Sequence, residues 1–480
     1  MRINKKLIKT FKNNPLIFLV FLIVSNSFFN QISAQENSDN LYQKPLKQVL
    51  KDVENKFGVT IKFTDSMVQN KMVNYADWRY RGNADETLAN ILSPLDMKVN
   101  KEGEKRYKLK YFEYYRWTVG DGKEKLDSLA IKYNDAKTWE IRKNDLRQCM
   151  YQSLQLSPLP ARPASKPILS NKRIYSDYSV ENIALEVLPG LYVCGSVYQP
   201  TTIKGKIPVI LCPDGHFDKG RYRADCQYRC ATLARMDCMA ISYDLFAWGE
   251  SLLQFKDEDH RRSIAESIQI LYSIRLLDYA LSLPQIDANR TAISGGSGGG
   301  TLSMLVTALD DRIKVSAPVV SLSCYMYGGC PCESGQPVQF CGNGTDNPEI
   351  AAMAAPRPML IVSDGKDWTD HVPQIEFPYL KKMYGFYDKK DLVQNVHLPE
   401  EGHDFGISKR TALYNFIAQQ FNLDIKKIKN PLGGFDETKT VIEPENAMYA
   451  FGKKGENLPA NAIKGFDNLT VVFNKATGKN

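Results

Sequence analysis

The stretch Thr291-Ala292-Ile293-Ser294-Gly295-Gly296-Ser297-Gly298-Gly299-Gly300-Thr301-Leu302-Ser303-Met304-Leu305 decides how this chain folds. Its first four residues suit a buried strand and its last five suit a helix. Between them, residues 295–299 fit G-x-S-x-G. A strand that turns directly into a helix imposes strained backbone angles on the central serine, and flanking glycines leave room for that turn. Ser297 then stands at the carboxyl end of the sheet, near a helix N-terminus where developing negative charge is favoured. A phosphate-binding loop is the competing reading of so many glycines. It is disfavoured, because no lysine follows within the turn and no G-x-G-x-x-G stands at the first strand.

A serine hydroxyl is a weak nucleophile and needs a base. The chain has five histidines: His216, His260, His371, His397 and His403. His403 lies in Glu401-Gly402-His403-Asp404-Phe405-Gly406, between a strand ending near Leu398 and the expected final helix of the alternating region. His397 lies within that strand and reads as a packed residue. The acid that orients the histidine is expected after an intervening strand, where Asp364, Asp367 and Asp370 are candidates. Asp367, just beyond a glycine turn, is the choice. The chain order Ser297, Asp367, His403 is that of the α/β-hydrolases, and differs from the chymotrypsin and subtilisin orders.

The surrounding texture agrees. Strands are expected at 208–212, 239–243, 291–294, 315–320, 359–362 and 393–398. Helices are expected near 223–236, 262–282, 374–385 and 409–421. Strands alternating with helices imply a mostly parallel sheet covered on both faces, hence an α/β fold. Acyl transfer also needs preorganised N–H donors for the oxyanion. The backbone amide of Gly298 is one candidate. The amide of His216 or Phe217, in the loop Cys212-Pro213-Asp214-Gly215-His216-Phe217, is the other. Trp248 and Trp368 are candidate sugar-stacking residues in nearby loops.

The N-terminus speaks to compartment. Arg2, Lys5, Lys6, Lys9 and Lys12 precede the apolar run Leu16–Val24, and Ile32-Ser33-Ala34 precedes Gln35. That layout is a secretory signal peptide over 1–34, since spanning a bilayer takes about 20 apolar residues. The whole chain has 480 residues, 62 Lys+Arg and 54 Asp+Glu, a charge of +8. Outside 1–34, 57 basic residues against 54 acidic ones leave only +3. Such a balance excludes a nucleic-acid binder, and 43% hydrophobic residues exclude a disordered chain.

Residues 35–110 read as a separate α+β unit. Leu46, Val49, Leu50, Val53 and Phe57 recur at helical spacing before Gly58, and 59–63 alternate as a strand. Asn83-Ala84-Asp85-Glu86 opens a second helix, and strands follow near 97–99 and 107–109. Residues 111–177 are expected to connect this unit to the α/β domain at 178–425. Pro158, Pro160, Pro163 and Pro167 stiffen an extended run within that connection. Residues 426–480 form a C-terminal extension with no assigned role. Cys324, Cys330, Cys332 and Cys341 crowd into one short region, which suggests local disulfides in an oxidising space. Zinc-type spacing is missing there and no histidine lies among them. No metal and no cofactor are expected.

The region 139–422 resembles the secreted bacterial acetyl xylan esterase-like α/β-hydrolases. The resemblance is carried by Pro189-Gly190-Leu191-Tyr192-Val193, Cys212-Pro213-Asp214-Gly215-His216, Tyr243-Asp244 and Trp248-Gly249-Glu250-Ser251. It continues through Ser294–Thr301, Asp310–Pro318, Gly329–Gly335, Ala355-Pro356-Arg357-Pro358, Asp367-Trp368-Thr369 and Glu401–Asp404. It places nucleophile, acid and base on Ser297, Asp367 and His403. Asp214 departs from the histidine expected in the family's Pro-His-Gly-His stretch, which leaves the detail of the oxyanion loop open. The order of elements in 35–110 resembles the short N-terminal domain of secretins and TonB-dependent transducers and receptors. These resemblances imply an exported serine esterase, secreted or periplasmic, acting on acetyl esters of carbohydrate. They also imply an envelope protein partner for residues 35–110. The alternatives are a serine peptidase of the same fold, or a catalytically inactive binding or signalling protein working through its N-terminal unit.

Overall fold

A computed structural model describes residues 43–73, 76–92, 95, 97–111, 117–217, 219–262, 264–326, 330 and 337–479. The signal-peptide reading of 1–34 and Cys332 lie outside them. The chain divides into two compact units, Met1–Glu113 and Tyr114–Asn480.

The small unit contains β1 (Lys44–Pro45), α1 (Leu46–Phe57), β2 (Thr60–Lys62), α2 (Asp65–Val68), β3 (Met72–Val73), α3 (Ala84–Leu92), β4 (Met97–Gly103) and β5 (Arg106–Tyr111). Gly58 ends α1 with φ +63°, the left-handed conformation that glycine adopts without a Cβ penalty. Asn83 Oδ1 accepts from the Glu86 amide at the start of α3. The apolar faces of α1 and α3 close over a three-stranded sheet ordered β2-β5-β4, burying Leu50, Leu88, Ile61 and Leu109.

The large unit opens with α4 (Val119–Ala130) and α5 (Ala136–Ser153), followed by β6 (Ile168–Ile174), β7 (Tyr178–Leu188), β8 (Leu191–Pro200) and β9 (Ile207–Pro213). Next come α6 (Ala224–Arg235), β10 (Met239–Tyr243), α7 (Ala265–Ser282), β11 (Ile286–Ile293), α8 (Gly298–Leu309) and β12 (Val315–Ser316). The remainder is α9 (Asn347–Ala352), β13 (Met359–Asp364), α10 (Glu376–Gly385), β14 (Val393–Leu398), α11 (Ile407–Phe421) and α12 (Phe466–Ala476). Nine strands form one sheet in the order β14-β13-β12-β11-β9-β10-β8-β7-β6. From β9 to β14 the pairing is parallel, whereas β8 runs antiparallel to β10, and β7 and β6 extend that antiparallel edge. This is the mostly parallel, doubly covered sheet of the α/β-hydrolase fold.

Three features depart from the sequence expectations. Residues 119–153, expected as part of a connecting segment, are two helices of the large unit whose Trp139, Leu146 and Met150 sit in its main core. The proline-rich run after them does remain without regular structure until β6. Second, the C-terminal extension is strapped to the domain. Asn182 donates to the carbonyls of Ala447 and Tyr449, Arg173 pairs with Glu443, and Leu469 and Phe473 of α12 join the main core. Third, Cys341 pairs with Cys149 of α5 rather than with a sequence neighbour, a separation of 192 residues. Cys324 and Cys330 form no disulfide with another described cysteine. Among the described residues no helix is long and apolar enough to cross a membrane.

Candidate active site

Ser297 stands between β11 and α8 with φ +56° and ψ −123°, a conformation that few non-glycine residues adopt. The strain is tolerated because the turn is pinned on both sides. The Ser297 amide donates to the Val319 carbonyl at 3.0 Å, and its carbonyl accepts from Gly300 and Thr301 at the start of α8. Neighbouring backbone comes very close, and a Cβ on Gly299 would lie 2.6 Å from the Pro213 carbonyl oxygen at the end of β9. Side chains at such positions would push the serine away from the sheet edge.

The loop after β14 brings His403 to this turn. Its Nε2 lies 3.0 Å from Ser297 Oγ, and its Nδ1 lies 2.6 Å from Asp367 Oδ2. Asp367 Oδ1 accepts from both the amide and the hydroxyl of Thr369 at 2.6 Å. Burial works to raise the Asp367 pKa, but hydrogen bonds from His403 and Thr369 outweigh it and hold the carboxyl below its ordinary value. The ionised carboxylate in turn fixes the histidine tautomer that leaves Nε2 facing the serine.

The other two candidate acids are engaged elsewhere. Asp364 lies 3.4 Å from the ammonium of Lys409, and burial, followed by the nearby Asp367, pushes its pKa up to about 6. Asp370 accepts from the Tyr325 hydroxyl and pairs with His371. His397 contacts the Ser363 hydroxyl on the adjacent strand. Gly298, the residue after Ser297, is the first of α8. Phe217 stacks on the His403 ring at 5.8 Å, and Trp368 lies tilted against the same ring at 4.3 Å. His216 and Trp248 are edge-on to each other, 5.8 Å apart.

Sequence reading missed a buried cation that shapes this wall. Arg221 is 1% exposed, pairs with Asp244 at 2.9 Å and Glu250 at 2.8 Å, and donates to the Met448 carbonyl. Glu250 also accepts from the amides of Ala450 and Phe451. Gly249, at φ +54°, has no room for a Cβ against the Asp244 carboxylate. The cluster thus fixes the turn that carries Trp248. Arg223 is a second such residue, holding Asp214 at 3.1 Å while its guanidinium covers the Phe217 ring at 4.0 Å. The side chain replacing the family histidine is therefore a buried partner of Arg223. The nearest sequence signal for Arg221 was the pair of motifs Tyr243-Asp244 and Trp248-Gly249-Glu250.

A serine on a strained strand-to-helix turn, with a histidine and a carboxylate aligned behind it, is the arrangement that serine hydrolases of the α/β-hydrolase fold use. The acetyl xylan esterase (AXE1) family model matches residues 268–327, which include the nucleophile turn and its helix. A solved structure described as methylesterase BT1017 is 50% identical, covering 91% of this chain and 97% of its own, with a TM-score of 0.72. More distant is an acetyl xylan esterase from Paenibacillus sp. R4, 16% identical over 57% of this chain and 94% of its own, TM-score 0.39. A glucuronoyl esterase from Solibacter usitatus is 13% identical over 60% and 94%, TM-score 0.42. No curated protein matches significantly. The chain belongs to one family of α/β-hydrolases with that methylesterase, and is a carboxylic-ester hydrolase whose residues 268–327 match the acetyl xylan esterase model.

Proposed function

We propose that the protein is an exported serine esterase that hydrolyses methyl esters on carbohydrate, with Ser297 as nucleophile, His403 as base and Asp367 as its orienting acid. The hydrogen-bonded chain from Asp367 through His403 to Ser297 carries the serine-esterase reading. Half-identity to a methylesterase over nearly the whole chain favours a methyl ester. On a carbohydrate, such an ester requires a sugar that bears a carboxyl group.

Ser297 Oγ attacks the ester carbonyl while His403 Nε2 accepts its proton, and Asp367 stabilises the imidazolium. The oxyanion is met by the amide of Gly298 and by that of His216 or Phe217. His403 then hands the proton to the departing methoxide, which leaves as methanol. Water activated by the same histidine releases the sugar carboxylate from the acyl-enzyme. Trp248 and Trp368 are the candidates for packing against sugar rings. The second reading, an acetyl ester, is favoured by the family match over 268–327. There the departing alkoxide belongs to the sugar, and acetate is released in the second step.

Methanol and acetate release should be measured from methyl-esterified and from acetylated polysaccharide, using protein lacking residues 1–34 beside Ser297→Ala. Methanol release that vanishes in the variant supports the first reading, and acetate release alone moves the assignment to the second. Cleavage of peptide amides alone would point to a peptidase, and no hydrolysis by folded protein would sink all three. Export is supported by the N-terminal layout and by the disulfide joining α5 to Cys341, a bond typical of oxidising compartments. Residues 35–110 are assigned as a protein-interaction module for an envelope partner, testable by capture with that unit alone.

A further inference from the structure

His216, His260 and Cys330 lie 44 and 70 residues apart in sequence, yet their ligand atoms all fall within 4.8 Å of one another. His216 Nε2 is 2.6 Å from His260 Nε2 and 3.4 Å from Cys330 Sγ. We propose that these three side chains bind a single divalent transition-metal ion of the zinc type, beside the catalytic serine and separate from the triad.

The donor set is that of a zinc site, two imidazole nitrogens and one thiolate. Its outer support is also present. His260 Nδ1 lies 2.6 Å from the Phe246 carbonyl. A ring N–H donated there leaves Nε2 as a lone pair facing the other two ligands, the arrangement that orients metal-bound histidines. His260 and Cys330 are 2% and 6% exposed, and Trp248 sits edge-on to both imidazoles at 5.8 Å. The ligands are thus shielded from bulk water on that side. Tetrahedral zinc, with bonds of about 2.0–2.1 Å to nitrogen and about 2.3 Å to sulfur, sets its ligand atoms about 3.3–3.7 Å apart. The His216–Cys330 separation already matches. The two imidazoles must part by less than an ångström, a movement left to His216 because His260 is held by Phe246. On binding, Cys330 gives up its thiol proton to solvent and becomes the thiolate ligand, while both histidines enter neutral.

Three separate segments meet here: the loop after β9, the short helical turn Asp257–Arg261, and Cys330. An ion held between them would tie down the loop 214–217, which abuts the nucleophile turn. Three protein donors would leave a tetrahedral ion one position for a water.

The test titrates the full mature chain, kept reduced, with Zn²⁺ and with Co²⁺ alone, and reads metal content after gel filtration and the absorption spectrum. The expected result is one ion per chain, with a Co²⁺–thiolate charge-transfer band that disappears in Cys330→Ser. Zn²⁺ stoichiometry should fall at least tenfold in His260→Ala at matched free metal, and Ser297→Ala should leave it unchanged. Circular dichroism of the variants without metal controls for folding, and the wild-type Co²⁺ spectrum stands independently of it. Absence of bound metal in the reduced wild type overturns the proposal. So does equal binding by the His260→Ala/Cys330→Ser variant, or alkylation mapping that finds Cys330 already in a disulfide.

Discussion

Gly215 and Ser297 are packed so closely that a Cβ added to Gly215 would lie 2.9 Å from Ser297 Cβ and 2.5 Å from the Gly296 carbonyl oxygen. The loop after β9 therefore meets the nucleophile turn backbone to backbone, and the amides of His216 and Phe217 follow directly from that contact. Gly215→Ala must move one of the two segments. Removing a single oxyanion donor costs roughly 10²–10³-fold in rate. The expected outcome is a kcat loss on the order of 10²-fold with far-UV circular dichroism unchanged, read from initial rates of ester hydrolysis.

The neighbouring carboxylates make a sharper comparison. Asp367→Asn keeps the shape but presents an amide to His403 Nδ1, which favours the wrong tautomer. A fall of about 10⁴-fold in kcat is the expectation, by analogy with triad carboxylates generally. Asp364 lies against Lys409 rather than against His403. Asp364→Asn should cost far less activity than Asp367→Asn, and equal losses in the two variants would contradict the assigned roles.

How much of this was legible follows from which residues interact locally. The nucleophile turn is a local feature, since strand, glycines and helix are consecutive, and β9, β10 and β13 show the apolar runs of buried parallel strands. Choosing Asp367 over Asp364 and Asp370 rested on its place past Gly365, and the geometry puts Asp367 on His403. The antiparallel strands β6–β8 went unread because β7 and β8 are buried along nearly their whole length and lack the alternation of a half-exposed sheet. Pairings across long separations carry no sequence period at all. Cys149 with Cys341, Arg221 with Met448, and His260 with His216 are each set by tertiary packing.

Arg221 makes the cost of such a hidden residue measurable. It is the cation between two buried carboxylates, Asp244 and Glu250, and it reaches the backbone of the C-terminal extension. Removing one partner of a buried ion pair leaves an uncompensated charge and typically costs about 3–5 kcal/mol. Arg221→Met should lower stability by that order in urea unfolding. It should also make the segment around Met448–Phe451 susceptible to limited proteolysis while the core of the domain remains resistant.

Asp346 offers a pH test away from the catalytic residues. It caps α9, where its carboxylate accepts from the Glu349 amide at 2.9 Å, and it is fully buried. Burial, with Glu349 adding repulsion against the cap's hydrogen bond and Lys125, pushes its pKa up to about 7. An unfolded aspartate titrates near about 3.9, so between these values the folded chain holds a proton that the unfolded chain has released. Bound protons then favour the folded state, and stability must fall as pH rises through this window. The contribution is fully present below about pH 4 and is gone above about pH 7. Asp346→Asn keeps the capping oxygen and cannot ionise. Its unfolding free energy relative to wild type should therefore improve from pH 4 to pH 7, by no more than about 4 kcal/mol, and level off by pH 8. A difference between the two proteins that stays flat across that range, measured by urea unfolding at fixed ionic strength, would show that Asp346 is ionised in the folded state throughout.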